Sequence, residues 1–160
     1  MNMEELISLY GDDILRLCLL YLGDRQLAED AFQETFIKAW RRQHSFRGES
    51  NMKTWLSHIA ANTCRDMLRS GWLRMMKRSE PEEKLLGIAA PSDDDGGAGV
   101  RSAVLALPGR YREVVVLYYY EEMKMREIAQ LLHIPVNSVS TRLRRARKML
   151  AGMLGEEAEA

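Results

Sequence analysis

Between residues 3 and 22, apolar side chains recur at steps of three and four: Leu6, Leu9, Tyr10, Ile14, Leu17, Cys18 and Tyr21. That period describes one face of a helix, and Gly23 supplies its stop. Asp24 is suited to cap a second helix over about 25 to 43, where Ala28, Phe32, Phe36, Ala39 and Trp40 fall on one side. Glu29, Gln33 and Lys38 take polar positions on the same segment. His44 to Asn51, with Gly48, Ser50 and Asn51, reads as a loop that delivers a cap to a third helix over about 52 to 70. The buried side of that helix is expected to use Trp55, Leu56, Ile59, Ala60, Thr63 and Met67. No alternating run long enough for a sheet occurs in this half.

From about 71 to 99 the periodicity fails, and Pro81, Pro91, Asp93, Asp94, Asp95, Gly96, Gly97 and Gly99 accumulate. This predicts an acidic flexible linker, with a short helix near Glu82 to Leu86 as the competing reading. Regular pattern resumes over Val100 to Leu107, breaks at Pro108 and Gly109, and continues as a helix from about Arg110 to Glu121. The run VVVLYYY is β-prone, so a strand competes there, but Tyr111, Val114, Val115, Leu117 and Tyr118 keep a helical spacing. Two further helical patterns follow: Arg126 to Leu132, with Ile128, Ala129, Leu131 and Leu132 inward, and Ser138 to Leu150, with Val139, Leu143, Ala146 and Leu150 inward. His133 to Asn137 form a tight turn between them, with Asn137 or Ser138 as N-cap. Short helix, tight turn, longer helix is the helix-turn-helix arrangement. The predicted class is all-α: two small helical domains, residues 1–70 and 100–154, joined by a flexible linker over 71–99.

The composition of the 160 residues, 46% apolar with 11 Gly and 4 Pro, is that of a globular protein. No apolar run is long enough to span a bilayer, and Glu4 and Glu5 stand where a signal peptide is basic, so the expected location is the cytoplasm. Cys18 and Cys64 sit within apolar helical patterns with no ligand spacing, which predicts reduced core thiols and no metal site. Net charge is zero, with 23 basic and 23 acidic residues, yet the distribution is uneven. Residues 101–160 carry 10 basic groups against 7 acidic, and 138–150 holds Arg142, Arg144, Arg145, Arg147 and Lys148 without one acid. A local basic stripe is what neutralising a polyanion requires. Projected as a helix, Ser140, Thr141, Arg144, Arg145 and Lys148 face away from the apolar side, which suits a major groove with phosphate clamping. The competing reading is a solvated basic surface closing a small bundle, its cations favourable to the helix dipole.

Two separate stretches resemble one family. LAEDAFQETFIKAW (27–40) with FRGESNMKTWLSHIAANTCRDMLR (46–69) is similar to the core-binding, minus-10-reading domain of bacterial extracytoplasmic-function (ECF) sigma factors of the sigma-70 family. LPGRYREVVVLYYYEEMKMREIAQLLHIPVNSVSTRLRRARKML (107–150) resembles their minus-35-reading helix-turn-helix domain. The resemblance implies a sigma-2-like and a sigma-4-like domain that direct core RNA polymerase to promoters. It implies docking on the beta-prime clamp helices through Glu29, Asp30, Gln33, Glu34, Phe36, Lys38 and Trp40, where carboxylates and an amide meet a polar coiled coil and an aromatic anchors. The alternative is that Phe36 and Trp40 are core and the acids solvated. It further implies that Phe46, Arg47, Asn62, Arg65, Asp66 and Arg69 hold an unstacked minus-10 base, with Asn62 as direct reader. Asp66 either accepts from a base amino group or orients a neighbouring Arg. Positions matching the family's minus-35 contacts are Ser140, Thr141, Arg142, Arg144 and Arg145, and Lys148 extends that face. Arg144 and Arg145 read guanine or clamp phosphate.

The chain departs from the family pattern at Asn137 and Ser138, where Gly-Thr is usual, at Ser140, where a cation is frequent, and at Lys124, where Ser or Thr would cap. His133 occupies a turn position often held by Gly, which predicts a positive φ. The implied partners are RNA polymerase core, through its beta-prime and beta subunits, promoter DNA and an anti-sigma factor. No cofactor and no small-molecule substrate are implied. In the linker, Asp93 to Asp95 would mimic phosphate inside polymerase channels. An enzyme is not expected, since His44, His58 and His133 lack HExxH or ExxH spacing and no phosphate loop or nucleophile elbow occurs. The rival reading is a stand-alone helix-turn-helix regulator that binds a palindrome as a dimer.

Overall fold

The computed structural model describes residues 2–46, 48, 51–70 and 95–155, with the backbone alone at 95–98. The chain divides into two compact units, Met1–Lys84 and Leu85–Ala160. Among the described residues every regular element is helical.

In the first unit α1 (Met3–Leu22), α2 (Arg25–Arg42) and α3 (Met52–Arg69) each pack against the other two. Their boundaries follow from local chemistry. Asn2 Oδ1 accepts from the Glu5 N–H at 2.8 Å while the Glu5 carboxylate accepts from the Asn2 N–H at 3.1 Å, a capping box at the start of α1. Gly23 closes α1 at φ 68°, a left-handed conformation that costs glycine little. Asp24 then accepts from the Leu27 N–H at 3.0 Å, and Asn51 accepts from the Thr54 N–H at 2.7 Å to open α3. The core draws Ile14, Leu17, Cys18, Tyr21 and Leu22 from α1, Leu27, Ala28, Ala31 and Ala39 from α2, and Leu56, Ala60 and Cys64 from α3. Both cysteines are buried free thiols. Leu9 departs from expectation at 62% exposure, because it lies roughly 130° around the helix from the centre of the buried face.

The second unit comprises α4 (Asp95–Ala106), α5 (Gly109–Val115), α6 (Met125–Leu132) and α7 (Val136–Leu154). The segment expected as linker yields to helix at Asp95 rather than at Val100. Gly96, Gly97 and Gly99 add nothing to an apolar period, so the pattern hid a helix that propagates outward from the packed Ala103 and Val104. The rest of the expected linker, 71–94, with the short helix near 82–86 and Asp93 and Asp94, lies outside the described residues. VVVLYYY is helical, not a strand: α5 runs into a π turn, Val116–Tyr120, whose Glu121 N–H reaches the Val116 carbonyl at 3.0 Å. Val114, Val115, Val116 and Leu117 are all buried, and a helix buried on every side loses the polar half of its period. His133 ends α6 at φ 60°, the left-handed turn expected there, and Glu122 also has a positive φ, 55°. The N-cap of α7 is Pro135, two or three residues before Asn137 and Ser138, because the Pro135 carbonyl already accepts from Ser138 N–H at 2.9 Å.

Gly11 sits buried on α1, where an added Cβ would lie 3.3 Å from Ile7 Cγ2 and 3.7 Å from the Phe32 ring. Ile7 is 39% exposed and has room to turn aside. Gly11→Ala is therefore expected to stabilise the first unit by about 0.5–1 kcal/mol through restored helix propensity. Urea denaturation checks the sign, and a lower midpoint would show that the Ile7 contact does not yield.

Candidate functional site

α2 separates the residues expected to dock on polymerase into two groups. Glu29, Asp30, Gln33 and Glu34 are exposed, as is Trp40 at 49%. Phe36 is only 3% exposed and pairs with the Phe32 ring at 5.0 Å, so it belongs to the core rather than to a docking surface. Lys38 Nζ donates to Thr63 Oγ1 at 3.0 Å, which ties α2 to α3 instead of presenting a cation outward. Ile37, 42% exposed, was missed by the periodic reading. Its signal was its position, four residues after Gln33 and three before Trp40 but off the Ala28, Ala31, Thr35, Ala39 side. The outer face of α2 thus combines carboxylates, an amide and two unsheltered apolar side chains.

On α3, Asn62, Arg65, Asp66 and Arg69 follow at helical steps along one side. Asn62 is exposed and its Nδ2 donates to the His58 carbonyl at 3.1 Å, which uses one of several bonds an amide can make. Arg65 donates from Nε and Nη2 to Asp66 Oδ1 at 3.1 and 2.7 Å, so Asp66 orients this guanidinium. Arg69 is exposed in the last turn. Trp55, expected in the core, is only half-buried, and the Phe46 ring packs against it at a tilt, with ring centroids 5.2 Å apart. Trp55, Asn62, Asp66 and Arg69 share a side of α3, so an aromatic pair, an amide and cations follow one another along it. Arg47 lies outside the described residues.

On α7, Ser140, Thr141 and Arg142 are half-buried, and Arg144, Arg145 and Lys148 are exposed. Val139, Leu143 and Ala146 bury the opposite side. The cations are not equivalent. Arg147 Nε donates to the Tyr119 hydroxyl at 2.7 Å and lies over that ring, so it fastens α7 to the π turn. A hydrogen bond from Arg145 holds the Tyr111 phenol below its ordinary range, partly offset by burial and assisted by Arg110. Arg110 itself lies over the Tyr111 ring at 5.1 Å. No group of three or more residues suited to a metal ion occurs among the described residues, nor is any described helix long and apolar enough to cross a membrane.

Comparison with known proteins fits this arrangement in both halves. The model of sigma-70 region 2 matches residues 6–74, and that of sigma-70 region 4 matches residues 98–150. The chain is 31% identical to the ECF RNA polymerase sigma factor SigW of Bacillus subtilis over 94% of its length and 87% of that protein. The chain belongs to the ECF sigma factors of the sigma-70 family. It is also 32% identical to the RNA polymerase sigma-H factor of Pseudomonas aeruginosa, over 91% of this chain and 82% of that one. In fold this ECF sigma factor is similar to the sigma factor RpoE of Bartonella quintana, solved with the anti-sigma factor NepR: TM-score 0.68, 23% identity, 94% of this chain and 95% of that one. CnrH, solved with the cytosolic domain of CnrY, gives 0.57 at 24% identity over 95% and 86%.

Exposure separates Phe36 from Trp40 experimentally. Phe36→Ala is expected to cost the first unit about 3–5 kcal/mol. Trp40→Ala is expected to cost about 1 kcal/mol or less. Circular dichroism during urea denaturation measures both, and equal losses would place Trp40 in the core.

Proposed function

We propose that this ECF sigma factor divides promoter recognition between its two units. The first docks on the clamp helices of the polymerase beta-prime subunit through the outer face of α2, with Asp30, Gln33, Glu34, Ile37 and Trp40 in contact. It captures an unstacked minus-10 base of the non-template strand along α3, where Asn62 reads the base edge, Arg65 and Arg69 meet the backbone, and the Phe46–Trp55 pair offers a stacking surface. The second enters the major groove of the minus-35 element with α7, using Thr141 and Arg144 toward bases and Arg142, Arg145 and Lys148 toward the backbone. Polymerisation belongs to the core enzyme, and this chain supplies specificity in the cytoplasm.

One observation carries the reading: on α2, α3 and α7 the matching residues stand on sides opposite those that form the two cores. Phe36 and Lys38 are exceptions not needed for the proposed contacts, and Arg65 and Arg142 are only partly exposed. The exposed pair Ile37 and Trp40 is also the surface an anti-sigma factor would cover to block polymerase. RpoE, similar in fold, is solved with an anti-sigma factor, which supports a partner of that kind.

In vitro transcription from a promoter library, with bacterial core polymerase and the purified chain, tests the assignment. Start sites are expected only when the chain is present. Asp30→Ala is expected to lower initiation at every promoter, whereas Arg144→Ala is expected to change which minus-35 sequences are used. Dimeric binding of the chain alone to a palindromic duplex, without initiation by a compatible core, would sink the reading.

A further inference from the structure

The helix-turn-helix unit contains a cleft of about 320 Å³ between the start of α5 and the first turns of α7. Arg110 and Tyr111 line it from α5, and Asn137, Ser138, Thr141, Arg142 and Arg145 from α7. Three guanidiniums and two side-chain hydroxyls of α7 therefore converge, and no described lining residue is acidic. Like charges held together repel, so an anion between them is favoured. The early start of α7 contributes: with Pro135 as cap, Asn137 and Ser138 lie within the first turn and border the cleft. No side chain caps that helix, and its first N–H groups carry the positive end of the dipole.

We propose that this cleft binds one backbone phosphodiester of the promoter duplex beside the minus-35 element, and that Arg110 is a phosphate-binding residue outside the recognition helix. The inference rests on the minus-35 role of α7 and adds a contact that its residues alone do not provide. Geometry favours a phosphate over a base edge. Arg110 lies over the Tyr111 ring and Arg145 lines the cleft beside that tyrosine, so both cations stand at the side of α7. A base edge lies deep in the groove along the line of α7, whereas a strand passing its flank brings phosphates to its side. A fork packed over a ring loses little freedom on meeting phosphate oxygens, which is the circumstance in which arginine is preferred to lysine.

The test uses holoenzyme assembled from bacterial core and the full chain, with a promoter on which the unmodified chain initiates. Arg110 is exposed, so Arg110→Gln leaves the core of the unit intact. It is expected to weaken promoter binding by about three- to tenfold, by the same factor on promoters differing in the minus-35 bases, and to reduce the salt slope by about one. Arg110→Lys is expected to lose less, and Tyr111→Phe, which removes a hydroxyl from the cleft without removing the ring, to lose affinity with no change in base preference. A single methylphosphonate at one position flanking the minus-35 element should reproduce the loss in the parent and add nothing in Arg110→Gln. An unchanged affinity and slope in Arg110→Gln, or a loss that depends on the minus-35 bases, overturns the clamp. A methylphosphonate without effect at every flanking position, with inorganic phosphate still binding the parent but not Arg110→Gln, would overturn the phosphodiester assignment in favour of the free ion. If the unmodified holoenzyme initiates at no promoter, the minus-35 reading fails and takes the clamp with it; initiation by the parent with an indifferent Arg110→Gln refutes the clamp alone.

Discussion

A stripe of small side chains on α2 governs how the first unit is built. Ala28, Ala31, Thr35 and Ala39 recur at steps of three and four and are each fully buried, and Ala60 and Ala61 of α3 are buried as well. α2 packs against both other helices, and only short side chains let its backbone approach them closely. Thr35 tolerates this place because its hydroxyl donates to the Ala31 carbonyl at 2.7 Å; an unsatisfied buried hydroxyl costs about 1–3 kcal/mol. Thr63 answers the same demand by donating to the Ile59 carbonyl at 2.9 Å and accepting from Lys38 at 3.0 Å. With the inner side so occupied, the carboxylates of α2, with Ile37 and Trp40, are left on the outside. Packing and the proposed docking face are two consequences of one pattern.

The second unit meets a different constraint, since short helices must turn sharply and still satisfy their ends. Arg112 is buried and its Nη1 donates to the Leu107 carbonyl at 2.8 Å, so a guanidinium closes the corner between α4 and α5. A buried charge is retained at such a place because its bonds serve carbonyls that would otherwise lie unpaired near a helix end. At the start of α6, Glu127 accepts from the Lys124 N–H at 2.8 Å, which supplies half of a capping box where no Ser or Thr is present. His133 then takes the left-handed turn that aims α7. These local solutions set the angle at which the polar side of α7 is offered.

Much of this was legible in the residues. The three helices of the first unit, the turn at His133 and the buried faces of α6 and α7 follow from period and caps, because each helix there has one apolar and one polar side. Legibility fails where that two-sidedness fails. Val114 to Leu117 is buried all round, so its composition resembled a strand, and Gly96 to Gly99 contribute no side chains, so a helix passed for linker. For the candidate site, period alone did not separate Phe36 from Trp40, four residues apart, since both fall near the edge of one stripe. The neighbour that covers Phe36, the Phe32 ring, and the Thr63 hydroxyl that captures Lys38 are facts of packing between side chains. Arg110 escaped notice because it stands in another helix, and its relation to Arg145 passes through Tyr111.

The cations of α7 show how a neutral protein can present a selective basic surface. Five charges within 138–150 are too close to be read as a uniform stripe, because unequal fixation gives each a different reach. Arg147 is committed to Tyr119 and so to holding the helix in place, and Arg145 lines a cleft beside Tyr111. Arg144 and Lys148 are exposed one turn apart. A side chain that is held loses reach but needs little further ordering when a phosphate arrives; a mobile one pays in entropy but can adapt to the edge of a base. Two tyrosines placed on α5 and its π turn therefore sort chemically similar arginines into positioning and reading roles. By this argument, promoter preference in the second unit depends on the tyrosines behind the recognition helix as well as on the cations along it.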